Sequence, residues 1–501
     1  MKLSKKEIKT FLFLFVYSFF LLLVLSPDSY LRDVYHRCDT AWFFMCGKAW
    51  MSGMIPYVDF ADSKGPLLWL VYGCGYLIHH YSYVGVFWMS SLFYAVSFWF
   101  AFKLSLMYVN RNGAIVILAL LSIALFWHNF HNEVRAEDFC YPFVFGGLYS
   151  VCRVLKGVDK RSLVRLSFLM GVCMMGCLLI KWSVTLMMSG LAFVLLYSSF
   201  RKKMYEGLYG GVIGMFAMFL PFLIYFLFKG NLGAFVTEYF CNTYSTVSKP
   251  FIEMLSSYLQ GWMHLQKPFI LFLVGLVLFC RKLKVSYWLL FGYFTFLSLA
   301  IIAPYPHYWS ILLPFSIFLF ILLIRYIEYR ICIGLLGTLA ISVVIVCLGM
   351  CLNIHSDISF VFQKDVKRQN YYDVSQLMSL TKNPKVMFND QEHGVGILAD
   401  ALPACKYWAR QTGASSFMDE EREKALNVRR PDFIVNSEFV QPQYAISSAS
   451  LEKLGYVYCG MAMGISSENR VYCKKELYRK LPHVQIRTID LLMKKNLFKE
   501  K

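Results

Sequence analysis

Apolar runs of about 17 to 25 residues recur along this chain as far as residue 350, and each is long enough to cross a bilayer core of roughly 30 Å as a helix. Hydrocarbon offers no water, so each crossing segment must satisfy its own backbone hydrogen bonds. The first 350 residues are therefore restricted to a bundle of helices. Composition agrees. Of 501 residues, 58% are hydrophobic and 16% charged, where a soluble domain carries about 25% charged residues. The formal charge of +19 does not point to nucleic acid. Lys and Arg gather in short clusters between apolar runs, as at the cytoplasmic ends of spanning helices. The 15 cysteines lack zinc-ligand spacing. Cys74, Cys140, Cys173, Cys177 and Cys280 fall in apolar runs, where cysteine acts as a small hydrophobe. No metal centre or disulfide framework is expected.

Charge clusters give a topology. The basic start MKLSKKEIKT and the apolar run to about Leu25 read as a retained first helix with a cytoplasmic N-terminus, since no small-residue cleavage site follows. The basic loops at Arg111, 156–161, 201–203, 281–284 and 325–330 then lie inside, and the polar loops at 130–138, 230–266 and 304–307 outside. Two apolar stretches, 66–80 and 84–109, separate the first external loop from Arg111, and parity lets only one cross. The shorter starts at Gly65-Pro66 and ends at His79-His80, so it is predicted as a helix at the outer face. The spans are then 10–27, 84–109, 113–129, 139–155, 164–180, 182–200, 208–229, 267–280, 285–303, 308–325 and 331–350, about eleven crossings. The first external loop, 28–83, carries juxtamembrane helices. The external loop 230–266 interleaves aromatics with polar residues, as an amphipathic helix pair or as plain interfacial anchoring.

After Cys351 the long apolar runs stop. KVMFND (385–390), PDFIVNSEF (431–439) and RVYCKKELY (470–478) read as strands. MDEEREKALNV (418–428) reads as a polar helix, DALPACKYWARQTG (400–413) as helical in part, and SLEKLGYVYCG (450–460) as helix then strand. The expected fold is thus a polytopic α-helical membrane domain, 1–351, followed by a small external α/β domain, 352–501. The latter has no Gly-rich phosphate loop, and no chemistry is assigned to it.

The topology brings a set of charges to one face. Asp39, Asp59, Asp62 and Lys64 lie in the first loop. Glu133, Arg135, Glu137 and Asp138 lie in the second, Lys181 between two apolar helices, and His307 in the turn PYPHYW. Each has a plain structural reading. Asp39 opens a helix and suits an N-cap. One of Asp59 and Asp62 shapes a turn. Lys64 can snorkel to headgroups, and the acids near Arg135 can pair with it. Lys181 is harder to explain, because it breaks the positive-inside pattern. Together, carboxylates and cations at a membrane face suit a transfer reaction. A carboxylate takes a proton from the acceptor, and cations stabilise charge developing on a departing phosphate.

Six short motifs, in order, resemble the GT-C membrane glycosyltransferases. They are CDTAWFFMCGKAW (38–50), GMIPYVD (53–59), DSKGPLLWLVYG (62–73), NEVRAEDFCYPF (132–143), IKWSVTL (180–186) and PHYWSILLP (306–314). The nearest branch is the bacterial one that includes lipid A aminoarabinose transferases and other polyprenyl-phosphate-sugar-dependent enzymes; protein O-mannosyltransferases are more distant. The resemblance implies an inverting transfer from a polyprenyl-phosphate sugar donor to a lipid or glycan acceptor. It makes Asp39, Glu137 and Asp138 the catalytic carboxylates. It puts Lys64 on the lipid phosphate, with Lys181, Arg135, Asp62, Asp59, His307 and Tyr57 in the binding set. It implies a bacterial inner-membrane protein among membrane lipids, with a periplasmic C-terminal domain; relatives in the oligosaccharyl branch need a metal, but none is assigned here, nor any cofactor, and no nucleic acid is expected. The sequence departs from the pattern at Gly65, where Pro is common, at Ser63, where some members have Glu, and at Thr40, where Glu usually follows the Asp. Two rivals remain. A lipid-glycan flippase or polysaccharide polymerase would place charges mid-helix along a path. A non-enzymatic, membrane-anchored binding protein would concentrate its polarity after residue 351.

Overall fold

The computed structural model describes residues 4–26, 38–126, 135–201, 203–244, 250–264, 306–330, 334–353, 375–389, 394–409, 416–437, 446–463 and 468–481. The chain is a multi-pass helical bundle with a small sheet domain near its C-terminus. The helices in order are α1 (Lys5–Leu25), α2 (Cys38–Met51), α3 (Pro66–Ile78), α4 (Val84–Ser105), α5 (Arg111–Leu125), α6 (Ala136–Leu155), α7 (Lys160–Leu178), α8 (Trp182–Arg201) and α9 (Glu206–Lys229). Then come α10 (Leu232–Val236), a π-helical turn Thr237–Asn242, α11 (Phe251–His264), a 3-10 helix Pro306–Phe315, α12 (Ser316–Arg330) and α13 (Leu335–Asn353). Among the described residues, six helices have the length and hydropathy to cross a membrane: α1, α4, α7, α8, α9 and the continuous stretch Tyr308–Glu328. The expected spans at 267–280 and 285–303 lie outside the described residues.

Local chemistry sets the helix ends. Ser4 and Glu7 cap α1 reciprocally, with Ser4 N donating to Glu7 Oε2 at 3.0 Å and Glu7 N to Ser4 Oγ at 3.2 Å. Asn110 caps α5 by accepting from Gly113 N at 2.9 Å. Gly230 ends α9 at φ +66°, a left-handed conformation that glycine adopts without steric penalty. Pro66 opens α3 at a position that needs no N–H donor. At 13 residues, α3 is only about 20 Å long, too short to cross a bilayer core. It packs between α2 and α4, with Leu68, Trp69 and Tyr72 fully buried. That explains its apolar sequence without a crossing.

The C-terminal sheet has strand order β2-β1-β3-β5-β4, with β1 at Lys385–Phe388, β2 at Leu402–Pro403, β3 at Phe433–Ser437, β4 at Tyr456–Met463 and β5 at Glu468–Lys474. β1 pairs in parallel with both β2 and β3, while β3 and β4 pair antiparallel with β5. The polar helix expected at 418–428 is α14, Ser416–Asn427. Two expectations need correction. Residues 400–409 hold β2 and turns rather than a helix, because Pro403 has no N–H to give a helix ladder and the segment completes a sheet edge instead. The stretch 470–478 is a strand only to Lys474, and Lys475–Tyr478 is a helical turn.

The sheet domain is seated on the first loop. Trp408 meets Trp42 of α2 at 5.4 Å between ring centroids, and Ala61 N donates to Lys406 O at 2.9 Å. Buried Lys48 of α2 pairs with Asp400 at 2.6 Å. One apolar core runs from the helices into the sheet.

Candidate active site

The first-loop turn is built by its own polar atoms. Asp59 Oδ2 accepts from Ile55 N at 2.7 Å, and Tyr57 N donates to Phe60 O at 2.7 Å. Tyr57 stands at φ +65°, a conformation that a bulky side chain adopts only when its surroundings fix it. They do: its ring packs on Trp69 at 4.7 Å and Phe235 at 5.3 Å. Its hydroxyl donates to Lys64 O at 3.2 Å. Tyr57 thus lies in the packed core and holds the backbone that presents Lys64.

Lys64 is fixed from the other side as well. Gly65 N donates to Ile180 O and Leu67 N to Leu179 O, both at 2.9 Å. These bonds lash the first loop to the α7–α8 turn that carries Lys181. A Cβ on residue 65 would overlap the Leu179 carbonyl. Proline would also lack the N–H that Ile180 accepts. The departure at Gly65 therefore follows from how this loop docks. Lys64 Nζ donates to Ser63 Oγ at 3.0 Å. Ser63 N in turn donates to Asp62 Oδ1 at 2.6 Å. The other carboxylate oxygen, Asp62 Oδ2, is buried without a hydrogen-bond partner.

Glu137 and Asp138, both in the first turn of α6, do different work. Asp138 Oδ2 accepts from Arg135 N at 2.9 Å and so caps its own helix. Glu137 forms a buried ion pair with Lys181. The Lys181 ammonium also lies 3.8 Å from the centroid of the Tyr308 ring. Arg135 is buried beside these acids. Glu133 lies outside the described residues. His307 stands in the 3-10 helix, and its side chain is outside the description.

Electrostatics ties the four segments together. Burial opposes charge on Lys64, yet Asp62, then Asp39 and Glu137, outweigh it and hold the ammonium well above the usual lysine range. Burial, with Lys64 adding repulsion, pushes Lys181 below its ordinary value against the pull of Glu137 and Asp39. Asp39 at the start of α2 is within electrostatic reach of both lysines. Among the described residues Lys64 forms no ion pair, whereas Lys181 is committed to Glu137. The arrangement offers an ammonium, Lys64, kept charged by the carboxylates near it, and a second cation, Lys181, paired with Glu137.

The structure thus gathers Asp39, Asp62, Lys64, Glu137 and Lys181. It uses Asp59, Tyr57 and Asp138 to hold the backbone around them. Sequence reasoning passed over Tyr308, which adjoins His307 in the same motif, and Ser63, whose hydroxyl joins Lys64 to Asp62. It also assigned nothing to Glu238, which accepts from Tyr407 Oη at 2.6 Å and pairs with Lys406. No local pattern marks that inter-segment contact.

This chain has a GT-C-like fold. It is similar over nearly its whole length to the lipid A aminoarabinose transferase ArnT from Cupriavidus metallidurans. The ArnT structure bound to undecaprenyl phosphate is 14% identical, with a TM-score of 0.57 over 93% of this chain and 98% of that one. The apo structure is 12% identical, with a TM-score of 0.55 over 94% and 99%. No protein-family model and no curated protein sequence matches the chain.

Proposed function

We propose that this protein is an inverting glycosyltransferase that moves a sugar from a polyprenyl-phosphate carrier to a lipid or glycan acceptor at the external, periplasmic face of a bacterial inner membrane. The observation that carries the reading is the convergence of Asp39, Asp62, Lys64, Glu137 and Lys181 at one end of the bundle. A similar fold that binds undecaprenyl phosphate, in ArnT, supports it. Asp39 takes the proton from the acceptor O–H or N–H as that atom attacks C1. The bond from C1 to the carrier phosphate oxygen breaks, and the charge left on the phosphate is met by Lys64, which forms no ion pair among the described residues. Glu137 and Lys181 fix each other and shape the wall of the site.

Charge placement bears on the rival transport reading. In the described spanning helices, charged residues sit near the helix ends, as with Glu206 and Lys229 of α9 or Lys103 of α4. A translocation path would carry charge at mid-depth. The seating of the sheet domain on the first loop fits a site shared by both parts of the chain better than a bare anchor.

The test is a membrane assay with defined polyprenyl-phosphate sugars and mass analysis of the products. Asp39→Asn should lower turnover about 10²- to 10⁴-fold, the usual contribution of a general base, while carrier-lipid binding persists. Near-normal turnover by this variant would remove Asp39 from the role.

A further inference from the structure

At the opposite end of the bundle, α1, α5 and α13 line a half-open cavity of about 570 Å³. That is within the roughly 300–1,000 Å³ range of pockets that hold one small ligand. Leu14, Leu118 and Val343 make its walls apolar, and Lys6, Lys9 and Arg111 stand at its mouth. α1 runs 21 residues from that mouth towards the first loop, about 30 Å along the helix axis. Mouth and candidate active site are therefore on different membrane faces.

Among the described residues Lys6, Lys9 and Arg111 form no ion pair. Of the acids nearby, Glu7 is paired with Lys103 Nζ at 2.8 Å, and Glu328 accepts from Asn110 N at 3.3 Å. A separate observation comes from the third wall. Ser342 of α13 lines the same cavity, and its buried hydroxyl has no hydrogen-bond partner. Cations at a membrane surface over an apolar chamber, with one spare O–H inside, complement an amphiphile with an anionic head and a hydrocarbon tail.

The geometry points to a binding site for one anionic glycerophospholipid, its phosphodiester at Lys6, Lys9 and Arg111, an acyl chain in the chamber, and an ester carbonyl accepting from Ser342. Free phosphate has no chain with which to fill the apolar walls. A polyprenyl phosphate seated here would hold its phosphate a membrane thickness away from Lys64. The phospholipid fits on both counts.

The experiment uses the purified full chain in neutral detergent, titrated with phosphatidylglycerol, phosphatidylcholine and undecaprenyl phosphate. Native mass spectrometry counts retained lipid. Wild-type protein should retain one phosphatidylglycerol per chain and release phosphatidylcholine. The combined variant Lys6→Gln, Lys9→Gln, Arg111→Gln should bind phosphatidylglycerol about 100-fold more weakly. Ser342→Phe, which leaves every charge and fills the chamber from another helix, should also lose it. Both variants are read only as monodisperse protein, and either one alone decides the matter. Phosphatidylglycerol binding at wild-type affinity in either variant overturns the assignment, as does preferential retention of undecaprenyl phosphate.

Discussion

Lys181 is held twice, by the Glu137 carboxylate and by the face of the Tyr308 ring 3.8 Å from its ammonium. The three residues come from the α7–α8 turn, α6 and the late 3-10 helix, so the contact closes one wall of the site across the whole bundle. Breaking a buried pair by removing one partner leaves the other charge exposed to a poor dielectric, at about 3–5 kcal/mol. Glu137→Gln and Lys181→Met should each lower the thermal midpoint clearly. The double variant should recover most of that loss, because no lone charge remains. Tyr308→Leu should cost about 0.5–2 kcal/mol, the range for a cation over an aromatic face. Thermal unfolding of the set in one detergent measures the coupling. Simple additivity of the two single variants would show that the pair does not act as a unit.

Asp59 and Asp62 look alike in sequence and differ in what their oxygens do. Asp59 accepts from Ile55 N, whereas Asp62 Oδ2 is buried without a hydrogen-bond partner, and the Asp62 charge is the largest one holding Lys64 protonated. Asp59→Ala should lose about 0.5–1.5 kcal/mol of stability, the worth of one hydrogen bond, with turnover per folded molecule close to wild type. Asp62→Asn keeps the acceptor for Ser63 N and removes only the charge. It should lower turnover about tenfold or more, equivalent to roughly 1.4 kcal/mol at the barrier. Equal effects of the two substitutions on turnover would contradict this division.

Helices were the legible part, because their signal is local. The expected span 182–200 is Trp182–Arg201, and 208–229 is Glu206–Lys229. Membership of the charged cluster was legible too, since membrane side follows from counting crossings. Individual roles were not. Glu137 and Asp138 are adjacent on a helix and project roughly 100° apart, so only one could reach Lys181, and periodicity does not say which. His307 and Tyr308 pose the same problem on the facing element. The docking of the sheet domain was hidden for a different reason. It rests on pairs such as Lys48 with Asp400 and Glu238 with Lys406, whose partners lie far apart in sequence and carry no motif.

Gly65 offers a test of how the first loop is positioned. Its N–H is spent on Ile180, and its Cα faces the Leu179 carbonyl with no room for a side chain. Gly65→Ala must push the loop off the α7–α8 turn, an overpacking effect of about 1–3 kcal/mol. Lys64 then moves relative to Lys181, so the KM for the carrier lipid should rise more than the fold weakens. Gly65→Pro adds loss of the hydrogen bond and should be worse than alanine. A proline variant with the wild-type KM would mean that this docking does not set the position of Lys64.

Lys48 gives the seat of the sheet domain a pH dependence of definite sign. It is only 1% exposed, pairs with Asp400 at 2.6 Å, and lies 5.8 Å from the centroid of the Tyr76 ring. Burial lowers its pKa from 10.5 to about 8, against the pull of Asp400. Below pH 8 the lysine is protonated in both folded and unfolded chains, so its contribution does not vary. From about pH 8 to 10.5 the unfolded chain still binds the proton and the folded chain does not. Stability contributed by this group must therefore rise with pH through that window and level off above it, by a total on the order of 3 kcal/mol. Other groups also titrate there, so the measurement is the difference between wild type and Lys48→Met. Thermal midpoints taken from pH 7 to 11 should show wild type gaining on the variant across the window. A difference that is flat or falls with pH would mean that Lys48 keeps its proton beneath the sheet domain.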